Sequence, residues 1–597
     1  LSLTPREHLM HCGSDDRSHR KGSGLSEKKT KGSVNEKGLV RRAPEAAKEI
    51  LSLSGSVALN RILALEHPEE FVRNMAHVDL YWLVKKIGEE DALPILQMAS
   101  SAQWVFLLDL ELWKKDRLDL RQVSDWMGRL LQADPDRLVR WLLSEGEYFT
   151  YFYLSRMLQV EFKSKDEMED VGEGFFTLDG IHYLRILDPE HEEVLRNLLP
   201  HLASKDYTRY QSILMGLSGV APAEVEEEMY RRRNVRLSED GFLPHEEAVS
   251  VYTALKKDLL KEKPSAAPLA YSRSSQEERA EAPLMPILHV SDNHLMVEAM
   301  RRSKDRLLLD RIGLEFAGLC SQVFSAEGVF ENTPEALLRT VRKAAGYVNV
   351  GLERWCGRDL ALCEKVLREN TLLDLFRSGF SLALELRWET EQWLKTAWFA
   401  RRGFRPAFWE EEWGATLVGV VQKRPLLFER SRKEEPYRTF ESLDEVETCR
   451  KTMRRLMVLD RLLARLVDRH PLEEKWSKDP LFTFHSLLFN YWARKQLGFP
   501  PGFAPLSLDQ VRDLFRLVRS GAQQPPFEMP GFKEVFVRDF MACVPDVGSA
   551  DEDLLEDTLG ILWDKFTEEY ALVGTADLDG RFLRFILSSP SRASGPR

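Results

Sequence analysis

Glycine and proline are sparse, at 34 and 28 of 597 residues. That is slightly below their usual share and leaves little room for the turn-rich chemistry of an all-β protein. The six cysteines, Cys12, Cys320, Cys356, Cys363, Cys449 and Cys543, are scattered and include no Cys-x-x-Cys pair. They suit neither a disulfide framework nor a zinc knuckle, and a reducing cytoplasm is the expected setting. No apolar run is long enough to span a bilayer, and the N-terminal stretch lacks the apolar segment of a secretory signal. The expectation is a protein that neither crosses nor enters a membrane. Also missing are a Gly-rich loop ending in Lys-Ser/Thr, a dinucleotide fingerprint, a His-Glu-x-x-His pair and a Gly-x-Ser-x-Gly elbow. The common nucleotide, zinc-protease and serine-hydrolase classes therefore have no motif to rest on, and no cofactor is expected.

Charge is abundant and uneven. The chain carries 84 Lys plus Arg against 95 Asp plus Glu, a net charge of -11. Residues 1–44 hold ten basic and five acidic residues, which leaves -16 on the remainder. An acidic body weighs against nucleic-acid binding by the folded part. The basic arm 1–44, rich in Ser and Gly and poor in apolar residues, is expected to be disordered because it buries too little surface to offset chain entropy. It reads as a solvated tail, or alternatively as a contact for nucleic acid or acidic lipid. The chain begins with Leu1, which points to a processed or fragmentary chain or a start placed too early, with Met10 a later start.

From Pro44 onward short apolar clusters recur: Glu69 to Met75, Asp79 to Ile87, Asp91 to Ala99, Gln103 to Trp113, Gln122 to Leu131 and Asp136 to Leu143. Pro68 and Pro135 stand at first helical positions with acids beside them, and Gly88 and Gly146 stand at helix ends. Units this short cannot form a core alone, so the pattern predicts a helical superhelix over 45–260. Residues 261–286, rich in Pro, Ala, Ser and Glu, read as an exposed linker. A larger helical domain is expected over 287–587, followed by a loose tail over 588–597. Within that domain Met453, Leu456, Leu459, Leu463 and Leu466 make the stripe of a surface helix, with Arg454, Arg455, Arg461 and Arg465 opposite. Leu372 to Arg401 carries an apolar girdle wide enough for a central, multiply buried helix. Ser507 to Gln510 has capping-box spacing. The fold class is all-α.

The segment HPEEFVRNMAHVDLYWLVKKIGEEDALPILQMAS, 67–100, resembles the cytosolic superhelical domain of MgtE-type magnesium transporters, without their transmembrane part. DLYWLVKKIGEEDALPILQMAS at 79–100, FLLDLELWKKDRLD at 106–119, FFTLDGIHYLRILDPEHEEVLRNLL at 175–199 and LFRSGFSLALELR at 375–387 resemble a bacterial family, domain of unknown function 6178. That likeness spans most of 60–585. It implies a fold and a lineage, and no catalytic residues.

The densest polar constellation lies between Asp179 and His245: Asp179, His182, Tyr183, Asp188, Glu190, His191, Glu193, His201 and Arg231 to Arg233. Imidazole and carboxylate groups of this kind hold divalent metals, with arginines placing a phosphate opposite. The plainer reading makes Asp188-Pro189-Glu190-His191 a helix start, with Asp188 as its cap. Arg231, Arg232 and Arg233 are candidate anion-binding residues, with intrahelical pairing to the acids at 224–228 as the plain alternative. Asp577 and Asp579 in ADLDGRF lack the closing Glu of a calcium loop and read as a turn. Trp104, Trp113, Trp393 and Trp398 sit at core spacing.

The functional expectation is a cytoplasmic helical scaffold or regulatory protein that binds a protein partner. The alternatives are a metal-dependent hydrolase or phosphoryl-handling enzyme using Asp179, His182, Glu190 and His191, and a divalent-cation sensor. Partner identity and oligomeric state stay open.

Overall fold

The computed structural model describes residues 47–162, 173–255, 283–328, 333–473, 482–521, 524–544 and 549–588. The arm 1–44, the linker 261–286 as far as residue 282, and the tail from 589 lie outside the described residues. The chain divides into units 1–49 and 50–597. Of the first, only 47–49 are described, and they are helical.

The second unit begins with short helices: α1 Gly55–Leu63, α2 Pro68–Arg73, α3 His77–Ile87, α4 Leu93–Met98, α5 Ser101–Glu111, α6 Leu120–Ala133, α7 Pro135–Leu142 and α8 Glu147–Met157. Isolated helices of this length are marginal in water. The first six gain stability from a neighbour two places along, α1 packing on α3, α2 on α4, α3 on α5 and α4 on α6, whereas α7 packs on its sequence neighbours α6 and α8. Most local signals act as expected, whereas Gly146, at φ -87°, opens α8 instead of ending α7. Pro68 and Pro135 open α2 and α7, where their missing N–H is no loss. Ser100 and Gln103 form a capping box at α5. The buried Gln103 amide also donates to the Val72 and Met75 carbonyls at 2.8 and 2.9 Å, closing the end of α2. Gly88 ends α3 at φ +101°, a conformation that favours glycine.

A hairpin of β1 Trp113–Lys114 and β2 Arg117–Leu118 precedes α6. After α8 comes an antiparallel sheet that the helical reading misses: β3 Leu158–Phe162, β4 Phe176–Thr177 and β5 His182–Ile186, in the order β3-β5-β4. Phe162 stands opposite His182, and Leu158 opposite Ile186. Tyr183 and Leu184 of β5 are buried while Arg185 is exposed. The sheet is small, and the protein is helical overall. Helices α9 Glu192–Lys205, α10 Tyr207–Gly216 and α11 Pro222–Glu239 follow. Helix α9 packs on α6 and α7, and α11 on α5 and α8.

The longer helices that follow are α12 Leu295–Arg302, α13 Arg306–Glu327, α14 Pro334–Cys356, α15 Leu360–Glu369, α16 Leu372–Thr396, α17 Glu410–Val420, α18 Leu443–Arg469, α19 Phe484–Gln496, α20 Leu508–Val518, α21 Phe532–Met541 and α22 Ser549–Tyr570. Helix α16 is central, touching α13, α14, α17 and α18. Its crossing with α14 is backbone against backbone: a Cβ on Gly351 would stand 2.1 Å from the Leu375 carbonyl oxygen, and one on Gly379 2.1 Å from that of Tyr347. The stripe on α18 is buried as its spacing predicts, with Arg454 and Arg461 exposed. Ser507 and Gln510 form the expected capping box at α20. Phe489, Trp492, Phe536, Trp563 and Phe566 form a stacked and edge-to-face core between α19, α21 and α22.

Helices on either side of the 261–286 segment touch. The Asp79 carboxylate on α3, 3% exposed, accepts the Leu284 amide at 2.8 Å and the Met285 amide at 2.7 Å. Those amides open the one-turn helix Met285–Leu288. Trp82 stacks on His289 with centroids 5.3 Å apart. Met285 is fully buried, so the chain re-enters the core before the expected linker ends.

Candidate functional site

The four residues expected to share one site stand in two places. Asp179 and His182 form the turn between β4 and β5. Gly180 takes φ +73° at its corner. The Asp179 carboxylate accepts the Ile181 and His182 amides at 2.9 and 2.8 Å, and its second oxygen lies 2.5 Å from His182 Nδ1. Burial alone would raise the Asp179 pKa. The amide and imidazole hydrogen bonds outweigh burial and hold the carboxyl below its ordinary range. The Phe162 ring packs edge-on to His182 at 5.1 Å. The Tyr207 phenol, from the start of α10, faces the Asp179 carboxylate, and desolvation together with that carboxylate raises its pKa. The carboxylate is thus saturated by the turn it builds.

Glu190 and His191 lie beyond the other end of β5. Five residues of extended chain from His182 to Leu187 span roughly 16 Å, so strand geometry separates the two pairs. Asp188 caps the turn Pro189–His191 through the Glu190 amide at 3.0 Å, as the helix-start reading expects. His191 is 4% exposed, with Nε2 3.7 Å from Asp188 and a buried Nδ1 that has no hydrogen-bond partner. Glu190, His191 and Asp188 line an open cleft of about 540 Å³ with Lys114, Arg117, Asp119 and Arg121. Lys114 is paired to Asp119 at 2.6 Å. Glu193 is exposed. His201 is exposed too, its Nδ1 2.8 Å from the Asn197 carbonyl. Among the described residues no three His, Cys, Asp or Glu side chains are gathered as metal ligands are.

The arginine run divides by helix face. Arg231 and Arg232 both pair with Glu228, at 2.9 and 2.6 Å, on the exposed side of α11. Arg233 turns inward, donating to the Asp109 carbonyl at 2.6 Å and lying over the Trp113 and Tyr230 rings. Arg236 forks onto the buried Asp109 carboxylate at 2.7 and 2.8 Å. Pairing within the helix and to α5 therefore occupies these groups. Asp579 caps a short turn and pairs with Arg581, as the turn reading of ADLDGRF expects.

Two buried polar clusters escaped the sequence reading. Glu410, at φ +63°, directs its carboxylate to Nδ1 of the buried His485, whose Nε2 has no partner and whose ring stacks on Phe585. Glu327 is held by Lys343 at 2.8 Å and by Arg424 and Tyr252. These partners are 16 to 97 residues apart and leave no local signal.

Fold and sites together define a mainly helical protein whose titratable clusters cap turns and join helices. The chain belongs to a family described as a family of unknown function (DUF6178), whose model matches residues 36–589. No curated protein and no solved structure matches the chain. The likeness of 67–100 to the magnesium-transporter domain has no counterpart in these comparisons.

Proposed function

We propose that the protein is a helical scaffold or regulatory protein that docks a protein partner on the β4–β5 turn. One observation carries this reading. Leu178, Tyr207, Ile181 and Phe162, exposed by 41%, 46%, 48% and 50%, surround the Asp179–His182 pair. Large apolar side chains gathered on a surface mark interaction sites, and anchors held in place before binding lose little entropy when covered. The Asp179 hydrogen bonds supply that order. Placing a photo-crosslinking benzophenone residue at 178 in the native host tests the reading, with position 572, where Leu572 is 74% exposed, as the control. A single recurrent adduct specific to position 178 supports it. Equal labelling at the two positions counts against it.

A second reading, a phosphoryl-handling enzyme, is favoured by the unpaired His191 Nδ1 on a cleft wall that also carries Arg117 and Arg121. It predicts phosphomonoester hydrolysis that is abolished by His191→Ala, and the absence of such activity in wild type removes it.

A further inference from the structure

Strand β3 lies at one edge of the β3-β5-β4 sheet, and the described elements that pack closely on it are β5 and the preceding helix α8. The register fixes which of its backbone groups face outward. The Leu187 amide donates to the Met157 carbonyl at 2.9 Å. These two residues, next to the Leu158–Ile186 pair, are therefore a hydrogen-bonded pair. Bonded and non-bonded pairs alternate along an antiparallel ladder. Gln159 and Glu161 thus bond across to Arg185 and Tyr183, while Val160 and Phe162 direct their N–H and C=O groups away from β5. Among the described residues no other hydrogen bond uses those outward groups.

The side chains follow the same register. Val160 and Phe162 share a face with Leu184 and His182 opposite them. Leu184 and His182 are buried, yet Val160 is half-buried and Phe162 is exposed. The apolar row therefore reaches the edge uncovered. On the other face the Gln159 side chain bonds those of Glu161 and Arg185. Folded proteins commonly shield such an edge with proline, a bulge or a covering element. Strand β3 has no proline, and its five pairs run without a bulge.

We propose that the β3 edge takes an extended segment of a partner protein as a fourth strand, with apolar side chains at alternate positions of that segment. The outward groups of Val160 and Phe162 recur at roughly 6.8 Å, the two-residue repeat of an extended chain. The segment's apolar side chains continue the face of Val160 and Phe162, and its polar ones meet Gln159 and Glu161. This specifies the partner proposed for the β4–β5 turn and rests on that reading, since Phe162 stands opposite His182 at the same end of the sheet.

The test selects a random dodecapeptide library, displayed on phage, against the full-length protein, and follows amide hydrogen exchange with a selected synthetic peptide bound. The expected peptides carry apolar residues at every second position and slow exchange at Val160 and Phe162. N-methylating the peptide on one alternate set of residues should weaken binding by about tenfold, and methylating the other set should leave it unchanged. Val160→Pro removes an outward amide while sparing the β5 ladder, so weaker binding with an unchanged circular dichroism spectrum is expected. No enrichment, equal binding by the two methylated sets, or a dimer of the protein that Val160→Pro abolishes overturns the proposal. Peptides that Ile181→Asp abolishes but that leave exchange at Val160 and Phe162 unchanged sink the added strand and spare the docking turn. The methylated-peptide comparison stands even if Val160→Pro fails to fold.

Discussion

Replacing Asp79 by Ala should loosen the packing of α3 against the one-turn helix Met285–Leu288. The Asp79 carboxylate is buried and accepts two amides, from Leu284 and Met285, more than 200 residues away. Those amides lie at the start of a one-turn helix that has no cap from its own Leu284. A hydrogen bond to a charged group contributes roughly 1.5–3 kcal/mol, and a buried donor left without an acceptor costs a comparable amount. Asp79→Ala removes both bonds and leaves both donors stranded, so the expected loss is about 3–5 kcal/mol. Asp79→Asn keeps one acceptor oxygen and should lose only about 1–2 kcal/mol. Urea unfolding followed by far-ultraviolet circular dichroism measures the ranking, and hydrogen exchange locates it. Protection should fall in the Ala variant at residues 284–288 and on α3 before the α18–α22 core is affected. An Asp79→Ala protein within about 0.5 kcal/mol of wild type, with those amides still protected, would refute the reasoning.

Gly351→Ala drives a Cβ against the Leu375 carbonyl across the α14–α16 crossing, and backbone on both sides leaves no side chain to yield. The expected loss is about 3 kcal/mol or more, read as a drop in the thermal midpoint. His294 donates from Nε2 to the Ala345 carbonyl and accepts the Met296 amide on Nδ1, and burial pushes its pKa down to about 4 from the ordinary 6.5. Below about pH 6.5 the unfolded chain therefore binds a proton that the folded one refuses. Stability should fall as pH drops from there towards 4, by roughly 3 kcal/mol in total, and His294→Asn should flatten that slope in a pH series of urea midpoints. Arg236→Ala strands the buried Asp109 carboxylate and should cost about 2–4 kcal/mol. Arg231→Ala breaks only a solvent-exposed pair and should leave the unfolding midpoint unchanged. Parallel unfolding curves decide between these outcomes.

What the sequence shows well is whatever acts within a few residues. Pro68, Pro135, Gly88 and the Ser507–Gln510 box mark helix ends because caps are local, and the girdle of α16 is visible because burial on several sides is written along one helix. The β3-β5-β4 sheet is hidden because its strands are short and its pairing joins Phe162 to His182 across an intervening segment. The candidate site was only half legible for the same reason. Asp179, His182, Glu190 and His191 are neighbours in sequence, but extended strand β5 carries the first pair away from the second. Asp109 with Arg236, and Glu410 with His485, are brought together by folding alone.

The docking role of the β4–β5 turn is tested most directly by quantitative affinity purification from the native host, comparing wild type with Ile181→Asp and Phe162→Asp. Ile181 is exposed and makes no ring contact, so Ile181→Asp should leave circular dichroism and thermal midpoint unchanged, whereas Phe162→Asp also removes the edge-on packing on His182 and should lower the midpoint slightly. The account predicts a stoichiometric partner with wild type that is lost from both variants. A partner retained equally by all three proteins, or none recovered with wild type, would contradict it.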